Sequence, residues 1–68
     1  MELGERFLRY RAKHGISQSK LANLLEESMY VVRVVEGGLR KPHKASMLRF
    51  ETKMDELERK DKQHDEVL

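Results

Sequence analysis

Four glycines and one proline are the only strong helix breakers in this chain of 68 residues, and they divide it into helix-length segments. Glycine ends helices because it adopts positive φ without a steric cost, and proline cannot continue a helix. Only one run between the breakers is rich in strand-forming residues, and an isolated strand is not stable. The spacing therefore predicts an all-α chain. The breakers are Gly4, Gly15, Gly37, Gly38 and Pro42.

The first segment carries apolar residues at helical spacing. Leu3, Phe7 and Tyr10 recur at i, i+4 and i+7, so they lie on one face of a helix. A helix is predicted over residues 2–14, and Gly15 follows as a residue that can take positive φ at its end.

A second, shorter helix is predicted over residues 18–25. Ser17 precedes it, and a serine hydroxyl is a good acceptor for the free N–H groups of a first helical turn. Two acids, Glu26 and Glu27, form the turn that follows. The apolar residues of this helix are Leu21, Ala22, Leu24 and Leu25.

The stretch SMYVVRVVEGG is rich in valine, which favours strands. A strand would place its central arginine on a face of valines, whereas a helix gathers Val31, Val32 and Val35 on one side. A helix over residues 29–37 with Ser28 as its N-cap is therefore predicted. Four residues of this helix lie outside its apolar side or at the boundary of that side, namely Met29, Tyr30, Arg33 and Val34.

A long segment without breakers follows Pro42. Its apolar residues step by 3, 4 and 3, which predicts a fourth helix from about residue 43 to the C-terminus. Residues 1–57 are interpreted as one domain, and residues 58–68 as a charged extension that is either helical or frayed. The apolar stripe is Met47, Phe50, Met54 and Leu57.

Two interpretations of this stripe remain open. Phe50, Met54 and Leu57 are candidates for contact with a second copy of the chain, because a helical stripe of this kind can pair with another helix. Alternatively, Met47, Phe50 and Met54 complete the core of a monomer. We expect some dimer contact through this segment.

The charges are distributed unevenly. Residues 1–53 carry eleven Lys/Arg against six Asp/Glu, a balance of +5, whereas residues 54–68 carry three against six, a balance of −3. A basic body with an acidic tail suits a protein that binds a polyanion. It is also compatible with an ordinary solvated helical surface, so charge alone does not decide between them.

Several functional classes are not expected. Cysteine is absent, which excludes disulfides and thiolate metal sites, and the three histidines lack the spacing of a metal site. No nucleophile has a recognisable base and no phosphate loop is present, so neither an enzyme nor a cofactor is expected. No apolar run approaches the ~20 residues of a membrane span and no signal-peptide pattern occurs, so the cytoplasm is the expected location. The histidines, His14, His43 and His64, are interpreted as surface residues.

The segment GERFLRYRAKHGISQSKLANLLEESMYVVRVVEGGLRKP resembles the DNA-binding domain of phage lambda-type repressors and Cro proteins, the Cro/repressor helix-turn-helix family. The resemblance covers about residues 3–50, with the motif at residues 17–37. It implies a compact four- to five-helix lambda repressor-like domain, here with an extended C-terminal helix. The residues in register are Arg11, Gly15, Ile16, Ser17, Gln18, Leu21, Ala22, Leu25, Ser28, Val32, Val35, Glu36, Gly38 and Pro42.

The resemblance also implies a function and a set of contacts. The expected function is a sequence-specific transcriptional regulator, a repressor of phage, plasmid or bacterial type, that binds double-stranded DNA as a homodimer on an inverted repeat. Arg11 and Glu36 are expected to pair and fix the first helix to the third. The expected base-reading residues are Met29, Tyr30, Arg33 and Val34. The expected backbone contacts are Gln18, Ser28, Arg40, Lys41 and Lys44, with Lys20 and Arg9 as weaker candidates.

The sequence departs from the family pattern at the turn and on the reading face. Glu26 replaces the glycine of the turn, and Glu27 replaces an apolar residue and adds negative charge. Met29 and Val34 cannot make the bidentate hydrogen bonds that distinguish bases, although they can contact thymine methyl groups. The alternative function is therefore a protein-interaction module, antitoxin-like or an anti-repressor, that uses the apolar surface of Met29, Tyr30 and Val34.

Overall fold

The structure, a computed structural model, describes residues 2–38 and 42–67, and the side chains through residue 62. This part of the chain contains four helices and no strand, so the all-α prediction is confirmed. The helices are α1 (Leu3–His14), α2 (Gln18–Leu25), α3 (Met29–Gly37) and α4 (Lys44–Val67).

Two serines and two glycines set the helix ends as predicted. The hydroxyl of Ser17 accepts a hydrogen bond from the backbone N–H of Lys20 at 3.0 Å and begins α2. The hydroxyl of Ser28 accepts from the N–H of Val31 at 3.3 Å and begins α3. Gly15 and Gly38 follow α1 and α3 with φ of 60° and 66°, a conformation in which glycine has no steric penalty.

The core lies where the four helices meet. Phe7 of α1 and Phe50 of α4 contact edge to face with ring centroids 6.4 Å apart. Ala22 is buried on α2, the helix that packs mainly against α3. Leu24, near the end of α2, does not belong to the core and is 37% exposed. The core residues are Leu3, Phe7, Leu21, Ala22, Leu25, Val32, Val35, Phe50 and Met54.

The apolar stripe of α4 faces the inside of a single chain. Phe50 and Met54 are both buried in the core that α4 shares with α1 and α2, and Leu57 packs half-buried against it. The structure does not support the expectation that Phe50 and Met54 contact a second chain, because both side chains are almost entirely enclosed within one chain. For these two residues the alternative interpretation, completion of a monomer core, is the one that the structure supports.

The helix α4 is continuous through residue 57, the predicted end of the domain. Ion pairs attach it to α1. Arg6 contacts Asp55 at 2.7 Å and Glu58 at 2.9 Å. Asp61 lies 2.9 Å from His14 Nε2 and 3.0 Å from Lys13 Nζ. The hydrogen bonds from His14 and then Lys13 lower the pKa of Asp61. The acidic segment thus neutralises part of the positive charge of α1.

Gly4 marks a close approach of two helices. A Cβ atom at this position would lie 2.6 Å from the backbone carbonyl oxygen of Val35 in α3, and a backbone atom cannot rotate away. Gly4→Ala is therefore expected to lower the free energy of unfolding by roughly 1–3 kcal/mol, although alanine normally favours a helix. Urea denaturation followed by circular dichroism measures the change. Ser19→Ala, at an exposed position of α2, should be neutral or slightly stabilising.

The turn between α2 and α3 stores backbone strain. Glu26 has φ of 60°, and it is the one non-glycine residue with positive φ in the described part of the chain. A side chain costs about 1 kcal/mol in this conformation. Glu26→Gly is expected to be more stable to urea than Glu26→Ala by about that amount. Both variants lack the carboxylate, so their difference isolates the backbone, and equal midpoints would contradict the strain.

Among the helices of residues 2–38 and 42–67, none combines the length and the apolar composition that crossing a lipid bilayer requires.

Candidate nucleic-acid interface

The outward side of α3 is the most distinctive surface of the protein. Val32 and Val35 are buried, which fixes the rotation of the helix about its axis. The opposite side is consequently presented to solvent, with Tyr30 63% and Met29 43% exposed. Arg33 is also exposed and Val34 is half-buried beside them. The four residues that the resemblance assigns to base reading therefore share one face and are accessible.

A hydrogen-bonded network ties the end of α3 to α1 and to the start of α2. Glu36 Oε1 accepts from Arg11 Nη1 at 2.6 Å and from Gln18 Nε2 at 3.0 Å. Arg11 Nε also donates to the carbonyl oxygen of Ile16 at 3.2 Å. The Glu36 side chain is only 6% exposed, and its Oε2 has no protein partner. Two donors on one buried oxygen therefore fix the position of α3 relative to the first turn of α2.

The side chain of Gln18, an expected backbone contact, forms a hydrogen bond within the protein. Its amide donates to Glu36. The first backbone N–H groups of a helix have no partner within that helix. A phosphate contact by Gln18 can therefore use its backbone N–H or the second N–H of its amide while the bond to Glu36 is kept.

Three of the expected DNA contacts are exposed cations. Lys20, Arg33 and Lys44 are exposed, and none of them forms an ion pair within the described residues. They lie on α2, on α3 and at the start of α4. The expected backbone contacts Arg40 and Lys41 lie outside the described residues. Ser28 accepts a hydrogen bond from the N–H of Val31, which leaves its hydroxyl proton available to a further acceptor.

The two acids of the turn are neutralised by α4. Glu27 Oε2 lies 3.0 Å from Arg49 Nη2, and Glu26 Oε2 lies 3.0 Å from Lys53 Nζ. The hydrogen bond to Glu26 raises the pKa of Lys53. Glu26 and Glu27, which depart from the family pattern, are thus each paired with a basic residue of α4. The role of Arg49 and Lys53 was not foreseen, because only the packing of α4 against α2 brings them to the turn.

A groove of about 500 Å³ separates α3 from the start of α4. Its apolar walls are supplied by Val31, Val34, Pro42 and Phe50, and Tyr30 stands at its edge. Polar groups of Ser46, His43 and the Glu27–Arg49 pair complete it. The apolar surface of the outward side of α3 therefore continues sideways into a hollow. Nothing in the sequence pattern indicated this groove, since it depends on the angle between α3 and α4.

Comparison with protein-family models, with curated proteins and with solved structures finds no match to this chain. Within the residues that the structure describes, no three His, Cys, Asp or Glu side chains are grouped as a metal ion would require.

Proposed function

We propose that the protein is a sequence-specific DNA-binding regulator, a cytoplasmic repressor with a lambda repressor-like fold of the Cro/repressor type. Two copies bind an inverted repeat whose half-sites are about one helical turn apart, each with α3 in the major groove. The observation that carries the proposal is the exposed face of α3. Buried valines and the Arg11–Glu36–Gln18 network hold it in one orientation, with unpaired cations around it.

Each residue of the surface has a role in this proposal. Met29, Tyr30, Arg33 and Val34 meet base edges, and Arg33 has the geometry to donate two hydrogen bonds to guanine. The first turn of α2, Ser28 and Lys44 contact phosphates, together with Arg40 and Lys41. Phosphate contacts of this kind position a protein on DNA without specifying the sequence.

The acids of the turn do not oppose this function. An unpaired carboxylate beside α3 would repel phosphates, but Glu27 is held by Arg49 and faces α4. The distal acids of α4 face α1 and pair with Arg6, Lys13 and His14, on another side of the molecule. Arg33 on α3, Lys20 on α2 and Lys44 at the start of α4 therefore keep their charges available to phosphates.

The proposal is tested by selection of duplexes from a random pool, followed by footprinting and affinity measurement. It predicts enrichment of an inverted repeat and protection of two half-sites in the major groove. Arg33→Ala should weaken binding to the selected duplex by about 5- to 150-fold, which is the loss of one bidentate base contact. Arg59→Ala, the same change at an exposed position of α4, should leave the affinity within twofold of the original. Failure to enrich any sequence would contradict the proposal.

A protein-interaction module is the second candidate, favoured by the exposure of Met29 and Tyr30. Large apolar side chains on a surface often mark a contact with another protein. This candidate predicts a co-purifying protein that Tyr30→Ala releases, together with no binding to any duplex at low salt. If the protein binds such a partner and also binds DNA, the same chain has both functions.

A further inference from the structure

The chemistry of the outward side of α3 restricts what it can read. Among Met29, Tyr30, Arg33 and Val34, only the tyrosine hydroxyl and the guanidinium can form hydrogen bonds, and none of the four is an amide. An amide reads adenine by a bidentate pair, so this face lacks the usual means of recognising an A·T pair by hydrogen bonds. In the major groove, an A·T pair also presents an apolar group, the C5-methyl of thymine.

The shape of the surface fits such methyl groups. The exposed parts of Met29 and Tyr30 and the half-buried Val34 form an apolar surface, and beyond Val34 it continues into the groove between α3 and α4. A thymine methyl group in contact with this surface is removed from water and packs against carbon atoms on more than one side. The exposed cations Arg33 on α3, Lys20 on α2 and Lys44 at the start of α4 favour a polyanionic occupant over an apolar protein.

We propose that this surface recognises its half-site chiefly through the C5-methyl groups of thymine, with Arg33 as the one strong hydrogen-bonding contact to a base. The inference rests on the proposed DNA-binding function and names the class of sequence that it takes. The half-site is therefore a thymine-containing segment with a guanine within reach of Arg33. Discrimination against other sequences comes mainly from apolar contact.

Replacing thymine by uracil in the selected duplex tests the proposal directly. Uracil pairs with adenine and keeps the O4 acceptor, so the substitution removes the methyl groups and leaves the hydrogen-bond pattern unchanged. The expected loss is about fourfold in affinity for each methyl that is buried, or more than tenfold when two are lost. The dependence of affinity on salt should be the same for both duplexes, because the phosphate contacts do not change.

The outcomes separate this inference from the function on which it rests. Salt-dependent binding of equal affinity to the thymine and uracil duplexes would overturn methyl recognition and leave DNA binding intact. Absence of binding to either duplex would overturn both.

A variant locates the contact on the protein. Val34→Ala removes two methyl groups from the surface, so the ratio of the thymine to the uracil affinity should fall at least twofold. Leu48→Ala removes an exposed apolar side chain from α4 and should leave the ratio unchanged. If Val34→Ala has a native circular dichroism spectrum and an unchanged ratio of thymine to uracil affinity, then Val34 does not take part in methyl recognition. The comparison of duplexes with the original protein does not depend on how either variant folds.

Discussion

Phe50→Ala is expected to be strongly destabilising, with a loss of about 3–5 kcal/mol in the free energy of unfolding. Phe50 is buried against Phe7 in a small core, and truncation of a buried phenylalanine costs about 3–5 kcal/mol. A domain of this length is stable by roughly 3–10 kcal/mol, so the loss removes a large share of the total. Urea or thermal denaturation followed by circular dichroism measures it.

The same variant distinguishes a monomer core from a dimer contact. If Phe50 stabilises the single chain, the loss should be the same at every protein concentration, because unfolding of a monomer is unimolecular. Leu48→Ala is the matched control, since Leu48 lies two residues away on α4 and is 66% exposed. It should change stability by less than about 0.5 kcal/mol. A Phe50→Ala protein whose stability differs from that of the original only at high protein concentration would contradict the burial of Phe50 within one chain.

Arg11→Met is expected to cost about 3 kcal/mol by leaving a buried charge behind. The Glu36 carboxylate is 6% exposed, and without Arg11 its one remaining side-chain donor is the Gln18 amide. The reverse change, Glu36→Gln, should cost less, because Arg11 is 24% exposed and can turn toward water. Denaturation of the two single variants therefore shows whether the loss of Arg11 or the loss of the Glu36 charge lowers the free energy of unfolding more.

The double variant Arg11→Met with Glu36→Met separates stability from orientation. Removing both charges should restore most of the stability, since an apolar pair of similar size can replace a buried ion pair. Its affinity for the selected duplex should nevertheless stay at least tenfold below that of the original, because Gln18 no longer holds α2 to the end of α3. Additive losses of stability in the double variant, or full recovery of DNA affinity, would contradict the role assigned to the network.

The local features of the fold could be predicted because they depend on neighbouring residues. Ser17 and Ser28 begin helices by accepting a backbone N–H three residues ahead, and Gly15 and Gly38 end helices by adopting positive φ. The choice of helix over strand for the valine stretch followed from the position of one charge. Each of these outcomes is determined within a few residues, so the sequence pattern was sufficient.

The features that were predicted wrongly or missed depend on how helices pack. The stripe of α4 has the same spacing whether it faces a second chain or its own core, and only the docking of α4 on α1 and α2 decides between them. The same docking brings Arg49 to Glu27 and Lys53 to Glu26. Leu24 has the hydrophobicity of a core residue but lies on the wrong side of α2. No local pattern distinguishes these cases.

The proposed reading residues were found from a resemblance, whereas their accessibility comes from the structure. Periodicity placed Tyr30 and Arg33 opposite the buried valines, and both are exposed. The groove beside Tyr30 and Val34 required the tertiary structure. The proposed reading surface thus depends on the packing of the helices as well as on α3 itself.

The affinity for the selected duplex, measured over a series of salt concentrations, tests DNA binding most directly. Six or more phosphate contacts in a dimer predict a loss of about three orders of magnitude between about 50 and 200 mM salt. Lys44→Ala should reduce the slope of log affinity against log salt by about 2 per dimer, whereas Lys60→Ala, on the exposed distal part of α4, should not change it. A flat salt dependence, or equal slopes for Lys44→Ala and the original protein, would contradict the proposed interface.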